Sequence, residues 1–483
     1  MSTIASLILD RGERYGAALW GDEGNLTPLR ELIGRGAALA TSLRAEGLEP
    51  GARVAVLGES SSEFLATWIG LQLEGLVPAL INPAYPLDLV DPMLADLQPD
   101  LVLAPERIAG AAELAPMPWA EVRSIGWAGQ RRDALDLAGY MHTSGTTGTP
   151  KFCAQSQAYF LRLGSYVADR FCLSPADAVY TPLPLFHINP LGYAVIGALS
   201  GGARAITGRF SASGYWSTVR DLGATVLMLH TPPVEILKRG TDEAARGHQA
   251  RLAFLVDAEF QERFELPLAV SAYGSTEAAG ITHSWLWRRG EEAASAGGNS
   301  RYGGRARADV EWRLAEDGEI LVREREPGTL ISGYCRAGRD EPLETLEGGW
   351  FETGDLGAID DSGNLVFLER KAESIRVKGE YVPISFVEER FAGLPGVEDL
   401  ALWRRDGDLV DHEVVLYVVG SPLEASTLAA AAAELPRFMR PGLVRRLEAL
   451  PRDDAVGKVR RRELAAVPVL EEAVLTPLGR NRS

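Results

Sequence analysis

Cysteine is nearly absent: Cys153, Cys172 and Cys335 are the three thiols among 483 residues. They are too few for a disulfide framework and too far apart for a zinc knuckle, so they read as small core residues of a reducing compartment. Lysine is scarce as well, since Lys151, Lys238, Lys371, Lys378 and Lys458 are the only lysines among 49 basic residues. Where arginine carries nearly every positive charge, the remaining lysines mark places that need a compact, flexible cation; a bias in base composition produces the same scarcity. No apolar run approaches the roughly 18 residues of a membrane span. The start Met1-Ser2-Thr3-Ile4-Ala5 has neither the basic nor the apolar region of a signal peptide. A cytoplasmic protein with no membrane partner is expected. A formal net charge of -17 disfavours nucleic acid and anionic lipid, so a polyanionic ligand must be met by a local cationic site.

What is present is ordinary for a globular enzyme: 46% hydrophobic and 24% charged residues, in a chain long enough for several lobes. Residues 52–106 alternate apolar runs (Arg53–Leu57, Val77–Ile81, Leu101–Ala104) with helical stretches (Phe64–Leu73, Leu87–Leu97). That alternation predicts right-handed crossovers in a parallel sheet. A second series follows, with strands at Ala178, Ala203, Thr225 and Leu252 and helices over Leu191–Leu199 and Tyr215–Leu222. From Tyr302 to Phe367 short strands with glycine turns predict a small antiparallel barrel. The expected class is therefore α/β. A large N-terminal domain of two doubly wound sheets plus a small β-barrel (1–369) precedes a small mobile α+β C-terminal domain (370–483) whose last helix starts near Val459.

The sharpest motif is Thr143-Ser144-Gly145-Thr146-Thr147-Gly148-Thr149-Pro150-Lys151, with five hydroxyls, two glycines and a lysine in nine residues. Amides and hydroxyls in such a loop can wrap phosphate oxygens while the ammonium neutralises their charge. The spacing is not that of a Walker loop. A polar surface turn has the same composition, and the flanking sequence is what weighs against it.

Further segments follow in a fixed order: Tyr273-Gly274-Ser275-Thr276-Glu277, Gly349-Trp350-Phe351-Glu352-Thr353-Gly354-Asp355, Glu369-Arg370 with Lys378-Gly379 soon after, and Gly457-Lys458. Together with the loop they resemble the adenylate-forming superfamily of acyl-CoA synthetases, adenylation domains and luciferase, in its acyl-CoA ligase branch. The resemblance spans nearly the whole chain, from Leu26-Thr27-Pro28-Leu29 onward. It implies that Thr143 to Gly148, Lys151, Tyr273 to Thr276, Asp355, Arg370 and Lys458 bind ATP or acyl-AMP. Tyr273 would face adenine, Thr276 the α-phosphate and Glu277 a Mg2+ ion, all from one strand-to-helix turn. Asp355 would accept the ribose hydroxyls, and Gly-Asp is equally a common turn pair. Lys458 would bridge the acyl carboxylate and the α-phosphate; read alone, Gly-Lys before three arginines is a basic helix start. Lys378, Gly379 and Glu380 would line the channel for coenzyme A.

Phe186-His187 resembles the family's gate between acyl pocket and thiol tunnel, and a lone histidine is as readily a satisfied core residue. Amino-acid-activating relatives carry an aspartate after this Phe to pair with a buried ammonium; His187-Ile188-Asn189 has none, so the expected acid lacks an α-amine. Family position gives Phe186, His187, Asn189, Tyr193, Leu229, Pro232 and Ser271 as acyl-pocket candidates. His187, Thr276, Glu277 and Lys458 are the catalytic candidates. Three departures stand out. Phe152 replaces the usual glycine and is expected to crowd the loop, about two helical turns are missing between Val256 and Tyr273, and Ala372 occupies the hinge position.

The leading expectation is an acyl-CoA ligase with ATP, coenzyme A, Mg2+ and a small carboxylic acid as partners, and self-association left open. The alternatives are a half-ligase that receives a preformed acyl-adenylate, an enzyme that loads a carrier protein, and a non-catalytic nucleotide-binding protein.

Overall fold

A computed structural model describes residues 2–85, 87–110, 114–143, 150–290, 302–371, 375–377, 380–382, 384–406, 412–422, 425–435, 437–452 and 459–475. The chain divides into two compact units. The first comprises Met1–Arg313, Leu321–Thr353 and Ile359–Val366, the second Leu314–Ile320, Gly354–Ala358 and Phe367–Ser483.

In the first unit the strand Arg53–Leu57 is apolar without alternation because both its faces are covered. Val54 and Val56 enter the main core while Ala55 enters a second cluster with Tyr140 and Phe152. Val77–Ile81 and Leu101–Leu103 flank it in parallel, and Leu137–His142 lies parallel beyond Val77–Ile81. The crossover helix Ser62–Glu74 starts at Ser61, whose Oγ accepts from the Phe64 amide at 3.1 Å, and stops at Gly75, which takes φ +73°. Helix Leu29–Ala45 packs on it so closely that a Cβ on Gly70 would lie 2.4 Å from the Gly36 carbonyl oxygen.

In the second sheet the parallel strands run in the order Leu19–Asp22, Arg204–Thr207, Ala178–Thr181, Val226–Met228, Leu252–Phe254 and Leu268–Tyr273. His283–Arg288 and Tyr302–Ala306 extend it in antiparallel fashion. Helix Gln157–Arg170 packs on a π-helix, Asn189–Ile196, that continues into Gly197–Gly201, so the helix expected over Leu191–Leu199 begins with a wide turn.

The α/β class with large sheets and a smaller C-terminal sheet domain is as expected. Most of the glycine-punctuated strands lie side by side, in the order Val310–Leu314, Glu319–Glu324, Phe351–Ile359, Leu365–Arg370 and Tyr302–Ala306, and one hairpin leaves them. Tyr302–Ala306 joins the second sheet, while Gly333–Arg336 pairs with Phe152–Ser156 at the edge of the first and is followed by Arg339–Pro342. Both large sheets offered unpaired edges, and these strands cover them. Phe152 also differs from expectation: it is the first residue of its strand, 1% exposed, its ring 6.3 Å from that of Tyr140, so it fills the core instead of crowding the loop. The shortened segment is a six-residue helix, Ala258–Arg263, whose Asp257 cap also pairs with Lys238 at 2.5 Å.

In the second unit a four-stranded sheet runs in the order Val397–Asp406, His412–Gly420, Leu443–Leu447 and Glu471–Val474. Helices Ile384–Ala392 and Ala425–Ala433 accompany it, and Val387, Phe391, Leu416 and Leu428 share its core. The helix expected near Val459 is a short 3-10 segment, Arg461–Ala466, tied to helix Ile384–Ala392 by Arg461 and Glu388 at 2.8 Å. Among the described residues no helix is long and apolar enough to cross a membrane.

Candidate active site

Strand Leu268–Tyr273 ends in a reversal, Gly274–Gly280, that leads directly to strand His283–Arg288. The motif expected at a strand-to-helix junction therefore sits in a strand–turn–strand, because Ala279 (φ +58°) and Gly280 (φ +68°) turn the chain back. At Gly274 any side chain is excluded, since a Cβ would stand 2.0 Å from the Gly280 carbonyl oxygen. Ser275 Oγ accepts from the Ala278 amide at 3.1 Å, and the Gly280 amide donates to the Ser275 carbonyl at 2.9 Å.

Three side chains from three elements then pin the carbonyls of this turn. Tyr159 donates to Thr276 O at 2.8 Å and Tyr193 to Gly280 O at 3.0 Å, while Arg307 Nη1 donates to Ala279 O at 2.9 Å and to Ile281 O at 3.0 Å. With the backbone committed inward, the half-buried Thr276 hydroxyl and Glu277 carboxylate are the groups left on display. Tyr273 itself is buried, its ring 6.0 Å from that of His283.

Beside the turn, strand Gly333–Arg336 carries Tyr334, which pairs in register with Cys153. Burial, and then the charge and hydrogen bond of Glu277, push the Tyr334 phenol up, well above its ordinary value. Lys151 Nζ lies 5.5 Å from the centre of the same ring. Tyr334 thus stands between the lysine that follows the hydroxyl-rich segment and the carboxylate of the turn. The mouth of that segment is closed by the Thr143 amide donating to Lys151 O at 3.0 Å.

A second cluster is aromatic. His142, at the end of strand Leu137–His142, has its ring 6.1 Å from Phe186, 5.8 Å from His187 and 5.4 Å from Tyr85. It is 4% exposed, and among the described residues neither ring nitrogen has a partner. Burial, then His187, lowers the His142 imidazole to about 4. His187 keeps an accessible face while the surrounding protein, then His230, lowers it likewise to about 4. Asn189 Nδ2 donates to Leu229 O at 3.1 Å, and its buried Oδ1 has no partner.

The remaining acyl-pocket candidates are divided. Phe186 and Tyr193 belong to the main core, whereas Leu229 packs on the other face of the second sheet among Tyr215, Trp216 and Phe260. Ser271 alternates with Val270 in the main core and shares the Leu229 face with Ala269. Pro232 is exposed in the first turn of helix Thr231–Lys238.

In the second unit, Asp355 is buried and its Oδ1 forms an ion pair with Arg370 Nε, 2.9 Å away. Lys371 pairs with Asp317 at 2.8 Å and with Glu319 at 2.5 Å, and Glu319 also accepts from the Gly354 amide at 2.9 Å. Burial opposes the Lys371 charge, but the hydrogen bonds to Asp317 and Glu319 outweigh it and raise the amine.

The pattern of the AMP-binding enzyme family matches residues 17–335, about two thirds of the chain. The chain belongs to that family. This AMP-binding enzyme is 29% identical to sulfoacetate–CoA ligase of Cupriavidus necator, over 96% of its own length and 97% of that protein. It is 28% identical to a medium/long-chain-fatty-acid–CoA ligase of Mycobacterium tuberculosis, over 99% of both chains. Its fold resembles that of ATP-bound MatB from Rhodopseudomonas palustris, with a TM-score of 0.78 at 24% identity, over 95% and 98% of the two chains. The membership of the adenylate-forming superfamily implied by the motifs is thereby met.

Of the AMP-binding enzyme's expected site residues, Ser144, Gly145, Thr146, Thr147, Gly148, Lys378, Gly379 and Lys458 lie outside the described residues, as does Ala372; Glu380 is described only as backbone, in strand Glu380–Val382. Glu277 holds a half-buried carboxylate at the turn, a hard oxygen donor of the kind that Mg2+ takes once or twice while phosphates and water complete its shell. When bound there, the ion would neutralise charge on the phosphates. His142, His230 and Tyr334 escaped the sequence reading. The signal for His142 was its place directly before the hydroxyl-rich segment; Tyr334 carried none, since a tyrosine in a strand reads as core.

Proposed function

We propose that this AMP-binding enzyme is an acyl-CoA ligase for a carboxylic acid without an α-amine. The observation that carries the reading is the pinned Gly274–Gly280 turn, which presents Thr276 and Glu277 next to a Lys151–Tyr334 pair. The CoA-ligase relatives, matched over almost their full lengths, support it.

In the first half-reaction a carboxylate oxygen of the acid attacks the α-phosphorus of ATP, the bond to the bridging oxygen breaks, and pyrophosphate leaves. Thr276 and Lys151 meet phosphate oxygens, Asp355 and Arg370 the ribose side, and Lys458 the charge that gathers between carboxylate and phosphorus. In the second, the sulfur of coenzyme A attacks the acyl carbon, its proton passes to solvent, and AMP departs with the bonding pair. Residues 370–483 act as the mobile lid of the cycle, bringing Lys458 for the first step and Lys378, Gly379 and Glu380 for the second. Phe152, seated in the core, removes one of the two reasons for a half-ligase.

The test is pyrophosphate exchange and thioester formation over a panel of acids. Acid-dependent exchange with CoA-dependent product is the expected result. Thioester from supplied acyl-AMP with no exchange for any acid would overturn the two-step reading.

A further inference from the structure

Three of the six histidines, His142, His187 and His230, follow the carboxyl ends of three parallel strands, Leu137–His142, Ala178–Thr181 and Val226–Met228, where ligands of parallel sheets gather. His142 closes the first sheet's strand, and the hydroxyl-rich segment starts at the next residue. Its neighbours are aromatic, yet it is an imidazole, 4% exposed, with both nitrogens unpartnered among the described residues. Phenylalanine would fill the same wall between Tyr85 and Phe186 without leaving two polar atoms unsatisfied. The retained imidazole therefore needs a use, and its N–H is a donor with no acceptor among the described residues.

Resting on the acyl-CoA ligase reading, we propose that His142 and His187 bind a second anionic group of the acid substrate, a carboxylate or a sulfonate remote from the carboxylate that is activated. The charge logic favours an anion. A permanent cation such as arginine would be costly to keep desolvated in the empty site, whereas neutral imidazoles rest there uncharged and take up a proton when an anion arrives. The titratable groups packed against His142 are Tyr85 and His187, with His230 next to His187. None of these carries charge at neutral pH, so the anion meets no competing carboxylate among them.

The test uses the full-length enzyme with ATP, Mg2+ and CoA. Malonate, succinate and sulfopropanoate are compared with propanoate, butyrate and octanoate. The acids with a second anion should show kcat/KM about tenfold or more above their singly charged counterparts. The sulfonate and carboxylate arms tell which anion is preferred. His142→Phe should narrow that ratio about tenfold. Calorimetry in two buffers of different ionisation enthalpy, with succinate and AMP, should register uptake of protons by the wild type, and less by His142→Phe. Preference for octanoate or butyrate would overturn the inference and leave the ligase reading intact. Preference for dianions without proton uptake would overturn the assignment to imidazole. Activity with no acid of either kind would remove the ligase reading itself.

Discussion

Arg370 Nε meets Asp355 Oδ1 at 2.9 Å, pairing a half-exposed guanidinium with a carboxylate that is almost wholly buried. Such a pair holds the carboxylate in one orientation, with the Lys371–Glu319–Gly354 contacts fixing the backbone next to it. Asp355→Ala should raise the KM for ATP about ten- to a hundredfold, the loss of a charge-assisted acceptor. Arg370→Lys should fall short of wild type because ammonium lacks the planar fork. Initial rates of pyrophosphate exchange against ATP concentration check both, and an unchanged KM for Asp355→Ala would refute the ribose assignment.

Gly274 and Gly354 offer an internal comparison. At Gly274 an added methyl would collide with backbone, whereas at Gly354 (φ +71°) it would meet nothing within 4 Å and suffer only the strain of the left-handed conformation. Gly274→Ala should cost about 2–4 kcal/mol of stability and the exchange activity with it; Gly354→Ala should cost about 1–2 kcal/mol. Urea unfolding midpoints of the two variants decide the order.

The parallel strands of the first sheet were readable because a sheet covered on both faces leaves continuous apolar runs such as Val77–Ile81, whereas the strand His283–Arg288 that follows the Gly274 turn was not. Which face Leu229 or Ser271 takes was not readable, since register is set by the partner strands and a shift of one residue exchanges the faces. The motif carried by Thr276 and Glu277 was legible as chemistry, yet its setting between two strands was not. Two consecutive left-handed residues, one of them Ala279, are a product of tertiary pinning by Tyr193 and Arg307.

Tyr334→Phe removes the hydroxyl beside Glu277 and leaves the ring near Lys151. The Mg2+ dependence of exchange should shift upward a few fold, since the carboxylate loses an orienting donor. Glu277→Gln should shift it further, and chelation of the ion should abolish exchange in the wild type. An identical Mg2+ titration for Tyr334→Phe would show that Tyr334 does not position the carboxylate.

Acid should weaken the fold through its buried histidines. His142 is held at about 4 and His283, by burial, at about 3, whereas unfolded imidazole titrates near 6.5. Between those values the unfolded chain binds protons that the fold refuses, so stability rises with pH across that window and is lost as pH falls from about 6.5 toward 4. Urea midpoints measured across that window should follow a slope of roughly three protons, one each for His142, His187 and His283, and His142→Phe should remove about one of them. A flat profile would contradict the burial of these rings.

Lys458→Ala separates the two half-reactions. Exchange should fall about a hundredfold or more, while thioester formation from supplied acyl-AMP and CoA should persist. Exchange at the wild-type rate would place Lys458 outside the first step.

The anchoring of the Gly274–Gly280 reversal by Tyr159, Tyr193 and Arg307 has a thermodynamic corollary. A loop whose carbonyls are already engaged has little disorder left to lose, so nucleotide capture should leave amide deuterium uptake there almost unaltered. Cutting one anchor, as in Tyr159→Phe, should make that uptake sensitive to AMP and transfer part of the binding free energy into ordering the strand's end.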